Sequence, residues 1–210
     1  MTTSADSTRW FTDAFAGQPL MAILRGMGAE RSFELARTAW DLGIDLVEIP
    51  LQQPADREAL EVVVAAGRER GKSVGAGTII DADGVRAAAA AGAAFTVSPG
   101  LDLEVVRASE QAGMASLPGV ATASEVQSAV VAGLTWLKAF PASVLGTDWF
   151  AALHGPFPGV RFVATGGMNA RNAATYLEGG ADVVAVGSAL ADEAELPRLA
   201  EVLERSGSRR

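Results

Sequence analysis

One lysine in this chain stands where a positive charge is costly. The sequence holds two lysines, Lys72 and Lys138, among 17 basic residues. Lys72 follows Arg70 and Gly71 and precedes a β-rich run, a setting expected at a solvent-facing floor. Lys138 lies inside Thr135-Trp136-Leu137-Lys138-Ala139-Phe140, a run with no other charge, and strand alternation puts Trp136, Lys138 and Phe140 on one face. An ammonium buried there costs several kcal/mol unless it is paired or neutralised. Burial favours the neutral amine, which is the form that attacks a ketone to give a Schiff base. A depression of about three units from ~10.4 corresponds to ~4 kcal/mol, which desolvation can supply, helped by a nearby arginine such as Arg25. The resulting iminium draws electrons from the neighbouring carbon, which is what aldol cleavage without a metal requires. The bland alternative is a lysine reaching solvent from a strand end.

Glu48 is the matching acid. It is the only acid in Leu46-Val47-Glu48-Ile49-Pro50 and shares a strand face with Leu46 and Pro50. It either pairs with an arginine or moves protons for a Schiff base, directly or through one water. As an anion it would raise the Lys138 pKa, against the effect of Arg25. Two glycine turns, Thr165-Gly166-Gly167-Met168-Asn169 and Gly187-Ser188, are suited to hold a phosphate, because glycine lets backbone N–H groups approach it and a following helix favours its charge. The alternative is simple turn punctuation. Gly75-Ala76-Gly77-Thr78 offers a hydroxyl and close backbone access for a carboxylate, or small residues required by packing. The single histidine, His154, sits in a Pro/Gly loop and reads as structural.

The elements that must position these groups form a repeat: an alanine-rich amphipathic stretch, a glycine, then a short β-rich run. Its glycines are Gly43, Gly71, Gly92, Gly113, Gly133, Gly159 and Gly180, spaced 20 to 28 residues apart. Strands are expected at 20–24, 45–49, 73–77, 95–98, 115–117, 135–140, 161–164 and 182–186, each followed by a helical stretch. Eight such units predict an α/β fold, a (β/α)8 TIM barrel in one domain spanning 1–210. An open doubly wound sheet is the runner-up, though Arg25-Gly26-Met27-Gly28 lacks the third glycine of a dinucleotide fingerprint. In a barrel the site forms at the C-terminal mouth, where the strand ends place Arg25, Glu48, Thr78, Ser98, Lys138, Thr165 and Ser188. Trp10, Phe11, Ala14 and Phe15 suggest a short N-terminal helix capping the floor. Residues 1–9 and 206–210 are expected to be flexible.

Composition narrows the function classes. With 49% hydrophobic residues the chain supports a large core, and its net charge of −8 without a basic run argues against nucleic acid or an anionic membrane. The absence of cysteine excludes disulfides and thiolate chemistry, and one histidine excludes a multi-histidine metal site. No metal site and no cofactor is expected. No apolar run reaches a membrane span and no secretory leader is evident, so a soluble cytoplasmic protein is expected.

From about Leu20 to Leu203 the chain resembles the class I aldolases of 2-keto-3-deoxy-6-phosphogluconate and 2-keto-3-deoxy-6-phosphogalactonate. The matching stretches are Ala22–Gly26, Val47–Leu51, Gly75–Thr78, Ser98-Pro99-Gly100, Leu117-Pro118-Gly119, Leu137–Ala142 and Thr165-Gly166-Gly167. The resemblance implies that Lys138 forms the Schiff base with pyruvate and that Glu48 handles protons. It puts Arg25 and Thr78 at the pyruvyl end, assigns the phosphate to Gly166, Gly167, Gly187 and Ser188, and adds Pro99, Phe140 and Thr165 to the substrate pocket. It also implies a homotrimer acting on a small phosphorylated keto-deoxy sugar acid. The run Ile49-Pro50-Leu51-Gln52-Gln53-Pro54, where phosphogluconate enzymes usually carry threonine-leucine-arginine, looks more like the phosphogalactonate branch. The same chemistry on the gluconate epimer, a phosphate-binding barrel enzyme without covalent catalysis, and a silent phospho-sugar binding protein are the alternatives.

Overall fold

A computed structural model describes residues 3–207. Its strands are β1 (Leu20–Ile23), β2 (Val47–Pro50), β3 (Val74–Gly77), β4 (Phe95–Val97), β5 (Ala115–Leu117), β6 (Gly119–Val120), β7 (Trp136–Ala139), β8 (Arg161–Ala164) and β9 (Val183–Val186). The helices are α1 (Ser4–Ala14), α2 (Gly28–Leu42), α3 (Pro54–Glu69), α4 (Ala82–Ala91), α5 (Leu103–Gln111), α6 (Ala123–Val131), α7 (Ala142–Leu145), α8 (Asp148–His154), α9 (Ala173–Glu178) and α10 (Leu196–Gly207). Gly43 and Gly92 end α2 and α4 at φ +101° and +81°, the left-handed stop that glycine tolerates.

All strand pairs are parallel, in the order β5-β4-β3-β2-β1-β9-β8-β7-β6. The two ends of that order are halves of one stave. Residues 115–117 pair with β4 and residues 119–120 pair with β7, with Pro118 between them. Proline has no N–H to give, yet its carbonyl still accepts from Lys138 N–H at 2.9 Å. The sheet therefore closes as an eight-stave barrel, and the open doubly wound alternative is excluded.

Period-two alternation sorts the strand residues into two apolar layers. Leu20, Ala22, Val47, Ile49, Leu137, Ala139, Val184 and Val186 face the helices. Met21, Ile23, Leu46, Phe95, Val97, Leu117, Trp136, Val163, Val183 and Ala185 fill the lumen together with Phe11 and Phe15. Inward-facing Gly75 makes room for this filling, since a Cβ there would lie 2.2 Å from the Phe95 ring.

The floor is shut by α1, as expected from Phe11 and Phe15. Phe11 stacks on Phe15 with ring centroids 5.6 Å apart, and Phe15 meets Trp136 at 4.9 Å. Within the stretch expected to be flexible, residues 4–9 form the first turns of α1. A capping box between Thr3 and Asp6 starts α1 at Ser4, and Ser7, fully buried, donates to Glu110 (2.9 Å) and accepts from Ser116 N–H (3.2 Å). At the other end, α10 runs to Gly207 and includes Ser206, the first residues of the tail expected to be flexible. Residues 1–2 and 208–210 lie outside the described residues.

Candidate active site

Lys138 projects inward from β7 and Glu48 from β2, four staves apart on facing walls of the lumen. Lys138 is 3% exposed and Glu48 is 0% exposed. Neither carboxylate oxygen of Glu48 has a hydrogen-bond partner, and among the described residues no carboxylate lies within 4.0 Å of the Lys138 Nζ. The Nζ instead sits 4.9 Å from the centroid of the Phe140 ring. Lys72 is paired with Asp45 below the site and takes no part in it.

Burial dominates the electrostatics of the pair. It pushes the Lys138 pKa down, with the Glu48 charge opposing and the Arg25 charge reinforcing that shift. Burial pushes the Glu48 pKa up, against the pull of Lys138 and Arg25. Desolvation thus outweighs the mutual attraction on both partners. The arrangement favours a neutral amine able to attack a carbonyl and a carboxyl able to give a proton.

The structure shows why Glu48 fits. Gly77, in the neighbouring strand, points into the lumen beside it, and a Cβ at that position would lie 1.8 Å from Glu48 Oε1. The glycines of the Gly75–Thr78 stretch therefore serve packing, one for Phe95 and one for Glu48. Thr78 follows as a half-buried β-branched residue at φ +60°, a backbone state costing ~1–3 kcal/mol. Such strain at the C-terminal end of a strand is the kind a binding site retains.

The glycine turns form a cleft of about 350 Å³ lined by Ile23, Arg25, Met27, Gly166, Gly167, Met168, Ala185, Gly187 and Ser188. Gly166 and Gly167 adopt φ +95° and +79°, and their N–H groups, with that of Met168, find no acceptor among the described residues. Asn172 pins the turn by donating from its Nδ2 to Gly167 O at 2.9 Å. The helices expected to follow these turns stand back from them: α9 begins at Ala173, six residues past Gly167, and Gly187 leads first into a single 3₁₀ turn, Ser188–Ala191. What the cleft offers an anion is backbone donors and the Arg25 charge rather than a helix dipole.

The cleft thus gathers Arg25, Gly166, Gly167, Gly187 and Ser188. Thr165 is buried one residue before it, and Phe140 packs against Gly166, where a Cβ would touch the ring at 3.1 Å. Pro99 stands at the mouth with its carbonyl against Gly119, where a Cβ would lie 2.2 Å away. Ser98 is spent locally, donating to Gly100 O at 2.8 Å. His154 lies in the outer layer, its Nε2 2.9 Å from Gly180 O. The sequence reading assigns no role to Gln52 or Asn172; Gln52 enters it only within the Ile49–Pro54 run.

No helix among the described residues is long and apolar enough to cross a membrane. Comparison with known proteins agrees with the geometry. Residues 12–203 match the model of the family described as KDPG and KHG aldolase. The chain is 35% identical over 173 residues to the 2-dehydro-3-deoxy-6-phosphogalactonate aldolase of Escherichia coli K12, covering 82% of this chain and 84% of that one. It is 33% identical over 167 residues to the 2-dehydro-3-deoxy-phosphogluconate aldolase of Pseudoalteromonas atlantica, covering 79% and 76%. Among solved structures, the KDPG aldolase of Legionella pneumophila, with pyruvate captured as a covalent carbinolamine, superposes with a TM-score of 0.79 at 28% identity, covering 98% of each chain. A buried lysine facing a buried acid inside a closed barrel, and a family match over nearly the whole length, lead to one conclusion: the chain belongs to the KDPG and KHG aldolase family.

Proposed function

We propose that this protein is a metal-independent class I aldolase that cleaves 2-dehydro-3-deoxy-6-phosphogalactonate to pyruvate and glyceraldehyde 3-phosphate. One observation carries the reading: the lysine inside the barrel is desolvated and unpaired opposite a fully buried carboxyl. The neutral Lys138 amine attacks the C2 ketone to form a carbinolamine. A proton from Glu48, or from a water it holds, lets hydroxide leave as water and yields the iminium. Glu48, now the base, takes the C4 hydroxyl proton. The C3–C4 bond breaks toward the iminium, the aldehyde departs, and the enamine is protonated at C3. Water then hydrolyses the imine, releasing pyruvate and the lysine. The Gly166–Met168 N–H groups, Gly187, Ser188 and Arg25 hold the anionic groups of the substrate. Thr78, Pro99, Phe140 and Thr165 shape the pocket around the keto acid.

The galactonate epimer is favoured by the Ile49–Pro54 run and by the Escherichia coli relative. The Pseudoalteromonas relative, almost as similar, supports the gluconate epimer as the second reading, and cleavage of both epimers side by side decides between them. Kinship with a family of homotrimers supports a trimer in the cytoplasm. Incubation with pyruvate and borohydride, followed by peptide mass mapping, tests the chemistry. We expect an adduct on Lys138 that Lys138→Ala abolishes while the fold survives. An adduct on Lys72, or full activity after this treatment, would overturn the proposal.

A further inference from the structure

The Arg25 side chain has one polar side-chain partner among the described residues, and that partner carries no charge. Its Nη1 donates to Gln52 Oε1 at 2.9 Å, and no acid lies within ion-pair distance. Arg25 continues the inward alternation of Met21 and Ile23, lines the glycine-turn cleft, and acts electrostatically on both Glu48 and Lys138. The residue holding it is itself held. The N–H groups of Gln52 and Gln53 both donate to Asp56 Oδ2 at 2.8 Å, Asp56 is 7% exposed, and Pro54 opens α3 directly behind them. Leu51 N–H, one residue earlier, bonds to Gly77 O at 2.9 Å. The corner presenting Gln52 is therefore fixed to β3 on one side and to a buried carboxylate on the other.

We propose that Gln52 is a positioning residue that fixes the Arg25 guanidinium over the mouth while leaving its charge uncompensated. An exposed arginine with free rotamers would lose entropy each time it met a substrate anion, and a carboxylate in place of the amide would neutralise it before substrate arrived. The amide does neither. The titratable groups facing Lys138 are Glu48 from β2 and Arg25 from the end of β1, and only Arg25 acts with burial to hold the Lys138 pKa down, so anything that neutralises Arg25 lets that pKa rise. The inference rests on the Schiff-base reading given above.

The test uses the full-length protein and the variants Gln52→Met and Gln52→Glu, with Gln52→Asn as the conservative control. Wild-type trapping of pyruvate on Lys138 is measured first, because its failure overturns the Schiff-base reading and this inference with it. With trapping established, Gln52→Met should raise KM for the keto-acid substrate about five- to tenfold, the order expected for one ordinary hydrogen bond at an exposed position, with kcat within about twofold. Gln52→Glu should move the pH profile of trapping to higher pH and slow trapping near neutrality, while Gln52→Asn falls between wild type and Gln52→Met. Melting temperatures should stay at the wild-type value. KM and pH profiles unchanged in both main variants would overturn the positioning role alone. A lowered melting temperature with a proportionate loss of kcat and no pH shift would overturn it too, assigning Gln52 to the fold.

Discussion

Replacing Gly77 by alanine tests whether the seat of Glu48 is as tight as the structure draws it. The backbone at Gly77 lies outside the left-handed region, so alanine is conformationally allowed and the effect arises from contact alone. The added Cβ would stand 1.8 Å from Glu48 Oε1, 2.6 Å from its Cδ and 2.8 Å from its Cγ. Restoring an ordinary separation near ~3.5 Å requires the carboxyl to retreat by more than about 1.5 Å. A displacement of ~1 Å in a reacting group costs roughly 10²-fold in rate, so kcat should fall by about two orders of magnitude. Overpacking should also destabilise by ~1–3 kcal/mol, or roughly 3–10 °C in melting temperature for a domain of this size. Lys138 stands on the facing wall, so the extent of borohydride trapping with pyruvate should survive while its rate falls. Following pyruvate release with a coupled dehydrogenase, alongside thermal melts and trapping, reads all three quantities. A variant with a lowered melting temperature but kcat within threefold of wild type would refute the reasoning, because Glu48 would then have moved without consequence.

Glu48→Gln should stabilise the protein at neutral pH. Burial raises the Glu48 pKa, so above the ordinary carboxylate value of 4.5 the unfolded chain gives up its proton while the folded one retains it, and the native glutamate costs stability as pH rises. Urea melts of the two proteins should coincide near pH 4 and separate in favour of glutamine toward pH 7, and equal stability at every pH would contradict the burial argument. Phe11→Ala, at a fully buried floor position, should cost ~3–5 kcal/mol and roughly 10 °C in melting temperature, yet leave kcat at 25 °C within about twofold, as thermal melts and the coupled assay would show.

The candidate pair of Lys138 and Glu48 was legible because a charge in an apolar strand is a local anomaly. Lys138 and Glu48 each stand alone among hydrophobic residues, and strand alternation assigns both to the inward face that the structure shows. Glycines after the helices marked the repeat, and with it the barrel. What escaped the sequence depends on which residues meet across strands. Nothing near Gly77 announces that its missing Cβ is the space Glu48 occupies, since the two are 29 positions apart and adjacent only through the β2–β3 register. Pro118 was visible, but not that the segment around it would pair with β4 on one side and β7 on the other. The helix starting at Ser4 had a signal in the Thr3–Asp6 capping box, outweighed by the polar composition around it. The interval between Gly167 and α9 is set by the Asn169 and Asn172 side chains bonding the turn's own backbone, a competition with helix that spacing alone leaves undecided.

The aromatic plug under the lumen has a bearing on access. With Phe11, Phe15, Phe95 and Trp136 stacked across the bottom, the tube has a single doorway. The Lys138 amine stands above that plug, on the mouth side of Trp136. On the proposed reading, aldehyde and keto acid both leave, and the hydrolytic water enters, through that one mouth.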